Sequence, residues 1–471
     1  METLSTISPP SSITPRNMDP IASLNFHFSL LPIPYSILGT SPTSKLLFLN
    51  ITILDSTGRD PFPGDVLICG ERISFVGSLS NLEREKLLED PHVQIFEGRG
   101  RTLMSGLGDA HTHLTWNGGD LNALGELAWE DHMLLTAKSA KCYLDSGYTM
   151  CFGAASAKDD LDVAIRDAIN AGDSPGPRYL ANGMEIARRD GDLVPGITAY
   201  ADGPDEMREV IKKHVRLGVD QIKLSMSGEE VSPPLFLINP QTNGNYEITE
   251  NRSAQDCYFS DEETAACVEE AHNLGRRLCA HARARDSVKM CVKHGVDVLY
   301  HASYIDEEGM DMLEAKKDKH IVAPGINWLI ATLNDASEFG YSHEKASQVG
   351  YRKELEAAIH GLREMHKRGI VVLPGGDYGF AWTPHGTYAR DLAHFVNLLG
   401  FTPMEAIIAA TAGVAKLFMR EHELGKIQEE FYADCILVDG NPLEDITILQ
   451  DQEKLNVIVI NGRVHKGEGR K

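Results

Sequence analysis

The middle of the chain alternates between short apolar runs and longer stretches of helical periodicity, and this alternation constrains the fold more than any other feature. Eight such runs lie between Gly106 and about Glu421. They are Gly106–His113, Tyr148–Phe152, Arg178–Met184, Val219–Ser225, Arg277–His281, Val296–His301, His320–Pro324 and Val371–Gly375. Eight strand–helix units over about 300 residues are what a closed (β/α)₈ barrel requires. Residues 105–421 are therefore predicted to form an α/β TIM barrel.

Two of the intervening helices have clear end signals. One is predicted over Asp261–Leu274, because Ser260 is a good N-cap residue and apolar residues recur at helical spacing behind it. The other is predicted over Leu355–Lys367, followed by Gly369, which suits the end of a helix.

Both ends of the chain have the pattern of short strands. Residues 45–104 contain β-branched runs such as Leu47–Leu54, and strand patterning returns in Ala433–Asp439 and Leu455–Ile460. Because neither end is long enough to form a sheet core alone, residues 45–104 and 422–471 are predicted to pair in one small β-sandwich domain. Residues 1–44, rich in Ser, Pro and Thr, are predicted to be a flexible leader.

The charge balance excludes several kinds of partner. The chain has 68 acidic and 45 basic side chains, a net charge of −23, which repels nucleic-acid phosphates and anionic lipids. No run of apolar residues is long enough to span a membrane.

The eight cysteines form no CxxC pair and are expected to be reduced thiols of a cytoplasmic protein. Apolar residues around Phe26–Leu38 leave secretion as an alternative.

The densest chemical signal is the motif Asp109-Ala110-His111-Thr112-His113 at the end of the first run. Strand residues two apart point to the same face, so His111 and His113 can direct two imidazoles at one metal ion. Taken alone, the pair is better explained as two core histidines on a strand. Further candidate ligands end other predicted strands, at the face where such barrels carry their sites. They are Lys223, His281, His301 and Asp377.

Two of these candidates have an unusual setting. Lys223 lies between Ile222 and Leu224, where a lone ammonium would be buried at a cost of several kcal/mol. A lysine amine that has reacted with CO₂ becomes a carbamate, an anion whose two oxygens can bridge two divalent cations. Asp377 follows two glycines, and its alternative role is that of a turn residue that caps the next helix.

The order His-x-His, Lys, His, His, Asp resembles the metal-dependent amidohydrolase superfamily. Other motifs are similar to its ochratoxinase, prolidase and imidazolonepropionase-like branch. These motifs are Gly218–Lys223, Phe259–Glu263, His301–Tyr304, Thr402–Ala406, Ala433–Asp434 and Gly440–Leu443. The resemblance covers about Lys45 to His465 and implies a barrel, a small β-sandwich domain and a binuclear metal centre.

The resemblance also implies roles for the candidate ligands. The implied ligands are His111, His113 and Asp377 for the more buried ion, His281 and His301 for the more exposed one, and carboxylated Lys223 as the bridge. Imidazole and carboxylate donors suit Zn²⁺ best, with Mn²⁺, Co²⁺ and Ni²⁺ as alternatives. Asp377 is implied as the catalytic group that takes a proton from the attacking hydroxide and delivers it to the leaving group.

Three residues are predicted to contact the substrate. Arg283 stands where related sequences often carry a second histidine, and its guanidinium can clamp a substrate carboxylate. The equally open alternative is an arginine paired with Asp286 or another acid. Tyr304 is predicted to contribute to an apolar wall. His385 follows the eighth run and either lines the pocket or is a solvated loop residue.

These expectations predict a binuclear zinc hydrolase acting on a small-molecule substrate. The favoured reaction is cleavage of a C–N amide bond in a small carboxylated amide, an N-acyl amino acid or a dipeptide. Lactones and cyclic amides are the alternative substrates, because the same centre hydrolyses them in related enzymes. A non-catalytic metal-binding barrel and a metal-dependent decarboxylase are further alternatives. Members of this branch usually self-assemble, which implies a homo-oligomer.

Overall fold

The computed structural model describes residues 45–119, 121–191, 193–229 and 253–470, so the predicted leader at 1–44 lies outside the described residues. The strands in these ranges are β1 (Lys45–Leu54), β2 (Phe62–Cys69), β3 (Arg72–Gly77), β4 (Val93–Glu97), β5 (Thr102–Ser105), β6 (Leu107–Thr112), β7 (Tyr148–Gly153), β8 (Arg178–Leu180), β9 (Glu185–Ala187), β10 (Thr198–Tyr200), β11 (Gln221–Ser225), β12 (Arg277–Ala282), β13 (Val298–His301), β14 (Ile321–Ala323), β15 (Val371–Val372), β16 (Cys435–Val438), β17 (Leu455–Ile460) and β18 (Arg463–Lys466).

The helices follow the same order. The α-helices are α1 (Asn81–Glu89), α2 (Leu121–Glu126), α3 (Trp129–Asp145), α4 (Leu161–Ala171), α5 (Gly203–Leu217), α6 (Asp261–Asn273), α7 (Arg285–His294), α8 (Glu307–Ala315), α9 (Ile326–Asn334), α10 (His343–Val349), α11 (Tyr351–Lys367), α12 (Arg390–His394) and α13 (Pro403–Ile408). Single turns of π-helix, Phe395–Leu399 and Ala409–Gly413, continue α12 and α13. None of the described helices is both long and apolar enough to cross a bilayer.

Eight of these strands form the predicted barrel, one for each apolar run. They are β6, β7, β8, β11, β12, β13, β14 and β15. Parallel ladders join β6 to β8 and β11 to β15. Between the ladders, Asp220 N donates to Ala181 O at 2.8 Å, and Ala110 N donates to Pro374 O at 3.0 Å. A large apolar cluster lies between the strands and the surrounding helices, and the predicted α/β barrel is confirmed.

The two helix predictions differ in accuracy. Helix α6 begins after Ser260, whose side chain accepts from Glu263 N in a capping box, as expected. Helix α11 begins at Tyr351 instead of Leu355. Its first turn buries Tyr351 and Glu354 against the barrel, and this tertiary contact has no signature in the local periodicity.

Strands from both ends of the chain share one eight-stranded sheet beside the barrel. Strand β5 pairs antiparallel with β16, and β1 pairs with β4 along its first half and with β5 along its second. The change of partner occurs at Asn50, which has a φ of 52°. Apolar residues from both halves of β1 meet in one cluster, whereas the other face of β5, β16 and β17 packs on the barrel. A β-rich domain beside an α/β barrel is thus confirmed, and the limits of the two domains stay a prediction.

A buried ion pair joins the barrel to this sheet. Arg178 at the start of β8 donates through Nε to Asp434 Oδ2 at 2.6 Å and through Nη2 to Asp434 Oδ1 at 3.2 Å. The same guanidinium also donates to Asn461 Oδ1. The planar guanidinium matches the carboxylate at two points, so the pair sets the orientation of β8 relative to the sheet.

We expect Asp434→Ala to lower the free energy of unfolding by about 3–5 kcal/mol, because the Arg178 guanidinium would remain buried without its anion. Denaturant titration of the purified protein measures this change. The control is Glu209→Ala, which removes only an exposed pair with Lys212 and should give a much smaller loss. Equal losses in the two variants would show that the buried pair does not hold the two parts together.

Candidate metal centre

The six predicted ligands line one cavity. They are His111 and His113 at the end of β6, Lys223 on β11, His281 on β12, His301 at the end of β13, and Asp377 after β15. None is more than 6% exposed. Parallel strands bring their C-terminal ends to the same mouth of a barrel, which explains why residues so distant in sequence meet here.

Three of these residues form a tight inner group. Asp377 Oδ1 lies 3.2 Å from His113 Nε2 and 3.6 Å from His111 Nε2. One ligand atom from each of the three lies within 4.8 Å of the others, close enough to hold a single metal ion. The rings of His281 and His301 are 4.6 Å apart between centres, and His301 lies 5.2 Å from His111 by the same measure. The four imidazoles therefore form one continuous cluster.

The backbone is strained at two of the candidate ligands. His301 has a φ of 70° and Asp377 a φ of 60°, values that side chains other than glycine rarely adopt. Glycine is required at position 375, two residues before Asp377, because a Cβ there would lie 2.6 Å from His111 N. Such strain is typical of functional sites, where the surrounding structure holds a side chain in a costly position.

Hydrogen bonds to backbone carbonyls orient the imidazoles. Nδ1 of His113 donates to Ala155 O at 3.3 Å, and Nδ1 of His301 donates to Pro324 O at 3.2 Å. In both rings Nε2 is then the unprotonated nitrogen, the form that binds a metal. His301 Nε2 and Asp377 Oδ1 are buried and have no hydrogen-bond partner among the described residues.

The electrostatics of the cluster suit a cation. Burial lowers the pKa of His111, His281 and His301 well below the usual value, so these imidazoles are neutral. Burial raises the pKa of Asp377, but its interactions with His111, His113 and Lys223 outweigh the effect of burial and leave the pKa below its usual range. Neutral imidazoles and an ionised carboxylate are the protonation states that metal binding requires. The residues present thus fit a divalent metal ion.

Lys223 extends into the same cavity. Its Nζ lies 3.9 Å from Glu185 Oε2 and 4.4 Å from the centre of the Tyr300 ring. The Tyr300 ring also stacks on His111 with 3.8 Å between centres. The lysine amine is therefore held among groups that already contact the candidate ligands.

The rest of the cavity wall is largely apolar. Trp116 stacks on His113 at 3.5 Å between ring centres, and its ring is also in edge contact with Phe380. The other apolar residues of the wall are Leu121, Leu193, Val194, Ile197 and Trp328. A substrate in this cavity would contact aromatic and aliphatic side chains on one side and the ligand cluster on the other.

Three acidic residues of the site escaped the sequence analysis. Glu185 on β9 and Glu229 after β11 line the cavity, and neither belongs to a motif that marks it. Asp109 lies behind the cluster, where it accepts from His111 N at 2.8 Å and from Tyr143 OH at 2.9 Å. Burial raises the pKa of Asp109 to about 6. Its position in the Asp-x-His-x-His motif is the one signal that the sequence offered.

Arg283 is paired with two acidic residues of the protein. Its Nη1 donates to Glu354 Oε1 at 2.6 Å and its Nη2 to Glu229 Oε1 at 3.1 Å, with the side chain almost completely buried. Asp286 is paired with Arg285 instead. The structure thus corresponds to the alternative of an arginine bound to other acids. The reason is tertiary, since Glu354 comes from α11, 71 residues further along the chain.

The other two predicted substrate contacts are not among the described residues that line the cavity. Tyr304 donates its backbone N–H to Arg283 O at 3.0 Å. His385 donates through Nε2 to Trp116 O at 2.6 Å and accepts from Tyr388 OH at 3.0 Å, while burial lowers its pKa to about 4. His385 thereby supports Trp116 from behind, and a direct role of either residue in substrate binding stays a prediction.

We expect Arg283→Met to lower the free energy of unfolding by about 3–5 kcal/mol, because it removes the cation that pairs with the buried carboxylate of Glu354. The control is Arg285→Met, whose side chain is exposed and should matter little. Denaturant titration compares the two. A stable Arg283→Met protein that differs only in a higher KM for carboxylated substrates would instead support the clamp.

Several known proteins resemble this chain in sequence or in fold. A model of the amidohydrolase family matches residues 102–465 of the chain. Ochratoxinase from Aspergillus niger is 25% identical, over 98% of this chain and 96% of that protein. Imidazolonepropionase from Anaeromyxobacter dehalogenans is 25% identical, over 90% and 96% respectively. The solved structure of a Xaa-Pro dipeptidase with bound methionine matches with a TM-score of 0.74 and 24% identity, over 90% of this chain and 100% of that one. The resemblance found in the sequence is confirmed.

Proposed function

The chain belongs to the amidohydrolase family, and from this membership and the cavity we propose that it hydrolyses a C–N amide bond with the help of two divalent metal ions. The family and the names of its relatives support an enzyme that acts on C–N bonds. The observation that carries the proposal is the convergence of four imidazoles, one lysine and one carboxylate on one buried cavity.

We assign the two ions to two sets of side chains. The assigned ligands are His111, His113 and Asp377 for the inner ion, His281 and His301 for the outer ion, and carboxylated Lys223 between them. Two divalent ions held by these residues would lower the pKa of a bound water and would polarise the scissile carbonyl, and the nitrogen and oxygen donors favour zinc.

In this proposal Asp377 moves the proton. Its carboxylate accepts the proton of the attacking water and then donates it to the leaving nitrogen, which must be protonated before the C–N bond breaks. The contact with His113 at 3.2 Å and the left-handed backbone at φ 60° hold the carboxylate at the ligand cluster. The apolar wall beside it keeps bulk water away from the reacting groups.

In this proposal, carboxylation makes the Lys223 side chain a metal ligand, a role that an ammonium group cannot take. Glu185 supplies the one carboxylate within 4.0 Å of Lys223 Nζ among the described residues, at 3.9 Å, which is too long for a hydrogen bond. The amine can react with CO₂ to form a carbamate with loss of one proton, and the product is an anion suited to lie between two cations.

Lactones and cyclic amides stay alternative substrates, because attack of the activated water on a carbonyl carbon also opens these rings.

We also propose a cytoplasmic homo-oligomer acting on a small-molecule substrate. All eight cysteines of the sequence lie in the described ranges and are free thiols, which supports a reducing compartment. The net charge of −23 disfavours nucleic acid and anionic membranes as partners. Light scattering of the purified protein reports its oligomeric state.

We expect Asp377→Asn to lower kcat by about 10²–10⁴-fold on any amide that the wild type hydrolyses, because asparagine cannot carry the proton. A panel of anilides, N-acyl amino acids and lactones measures this rate, and elemental analysis measures bound metal. Loss of turnover with unchanged metal content also excludes a non-catalytic barrel. Full turnover in the variant would contradict the role of Asp377.

We expect about two divalent ions per chain in the wild type and fewer in Lys223→Ala, because the variant lacks the bridging anion. Elemental analysis gives the count, and carbon-13 NMR after incubation with labelled bicarbonate detects the carbamate in the wild type alone. The matched control is Lys138→Ala on the exposed face of α3, which should leave both readouts unchanged. Two ions in Lys223→Ala would contradict the bridge.

A further inference from the structure

A buried carboxylate behind the metal centre has no part in the mechanism described above. Asp391 lies on α12, is 2% exposed and does not belong to the described lining of the cavity. Burial raises the pKa of Asp391 to about 7, although hydrogen bonds from the backbone N–H groups of Gly375 and Asn327 lower it. Burying an acid is costly, so its contacts should show what the carboxylate does.

The first contact of Asp391 is with the turn that carries Asp377. Gly375 N donates to Asp391 Oδ2 at 2.9 Å, and Gly375 O accepts from Gly325 N at 3.1 Å. Both polar backbone groups of Gly375 are thus held, two residues before Asp377. Because Asp377 has a φ of 60°, its side chain reaches the ligand cluster only while this turn keeps its shape.

The second contact of Asp391 is with the start of α9. The N-cap residue of α9 is Gly325, which offers no side chain to cap the helix. Asn327 lies in the first turn of α9, and its backbone N–H faces the Asp391 carboxylate. His394, also on α12, lies with Nε2 3.1 Å from Asn327 Oδ1. A carboxylate is stabilising at a helix N-terminus, so Asp391 takes the place of the missing cap.

The start of α9 in turn supports His301. Nδ1 of His301 donates to Pro324 O at 3.2 Å, one residue before Gly325. The fit is tight here, because a Cβ at position 325 would lie 3.0 Å from the same Nδ1. A shift of this segment would therefore change both the orientation of the His301 ring and the nitrogen that carries its proton.

We propose that Asp391 is a positioning residue of the metal centre, which holds Asp377 through Gly375 and His301 through the start of α9. The inference rests on the metal centre of the proposed function and adds a residue that contacts neither ion. Groups behind metal ligands commonly change metal affinity by about 10–100-fold. Asp377 is assigned to the inner ion and His301 to the outer one, so the loss of one carboxylate should weaken the binding of both ions.

Asp391→Ala and Asp391→Asn test the proposal together. The purified proteins are stripped of metal and titrated with Zn²⁺ in bicarbonate buffer against a competing chelator. We expect Asp391→Ala to raise the dissociation constants of both ions at least about tenfold. Asparagine keeps one oxygen that can accept from Gly375 N, so Asp391→Asn should stay within about threefold of the wild type. Unchanged constants in Asp391→Ala, or an equal loss in both variants, would overturn the proposal.

Asp162→Ala is the matched control for a general loss of stability. Asp162 on α4 is also completely buried, and burial raises its pKa to about 7. It accepts from Tyr179 OH at 2.5 Å and from Asn182 N at 3.2 Å, and neither partner is a candidate ligand. The variant should unfold at lower denaturant concentration than the wild type and keep its affinity for Zn²⁺ within about threefold. A loss of Zn²⁺ affinity equal to that of Asp391→Ala would overturn the specific role of Asp391.

Hydrogen exchange separates this inference from the proposed function. Mass spectrometry of the metal-free proteins follows peptides that cover residues 323–330 and 373–380, with peptides from the rest of the barrel as reference. We expect both segments to exchange at least about tenfold faster in Asp391→Ala and at the wild-type rate in Asp162→Ala. If Asp391→Ala does not fold, Asp391→Ser replaces it, because a hydroxyl is too short to reach both N–H groups.

The two measurements fail in different ways. If the wild type binds no Zn²⁺, the metal centre of the proposed function fails, and hydrogen exchange still decides whether Asp391 holds the two segments. Wild-type exchange of both segments in the variant would overturn the role of Asp391, whatever the metal content.

Discussion

The rest of this structure depends on one constraint. Polar groups that are buried together are poorly solvated and repel one another. Four imidazoles, a lysine and an aspartate are collected at one end of a barrel, and some of their ring nitrogens and one carboxylate oxygen have no hydrogen-bond partner among the residues that the structure describes. Such an arrangement is unfavourable alone and becomes favourable when a cation is bound. The strained backbone at His301 and Asp377 indicates that the fold bears this cost in order to keep the ligands together.

The surroundings of the cluster support its geometry through several independent contacts. Tyr300 and Trp116 stack on the two histidines of β6, and backbone carbonyls set which ring nitrogen is protonated. Arg283 also stabilises this region, because it links the loop after β12 to helix α11 through Glu354. The guanidinium of Arg283 is thus bound to two acids of the protein, and one of these acids, Glu229, lines the cavity.

Sequence reasoning was most successful where a local pattern repeats or where two ligands are close together. The eight apolar runs appear as eight strands, and the His-x-His motif lies at the end of β6 as expected. It failed where a contact joins distant segments. Helix α11 starts early because Tyr351 packs into the interior, and the hydrogen bonds of His385 to Trp116 and Tyr388 have no local signal in the sequence.

The sequence by itself determined the barrel, the set of side chains at its C-terminal mouth and the chemical class of centre that they can form, because strand periodicity places those residues at strand ends. Only the tertiary structure decided which charges remain available to a substrate. Ion pairing depends on distances between atoms far apart in the chain. Local reasoning left open whether Arg283 binds a substrate carboxylate or another acid, and in the structure it is paired with Glu354, 71 residues away. The acids Glu185 and Glu229 likewise became part of the cavity through packing alone.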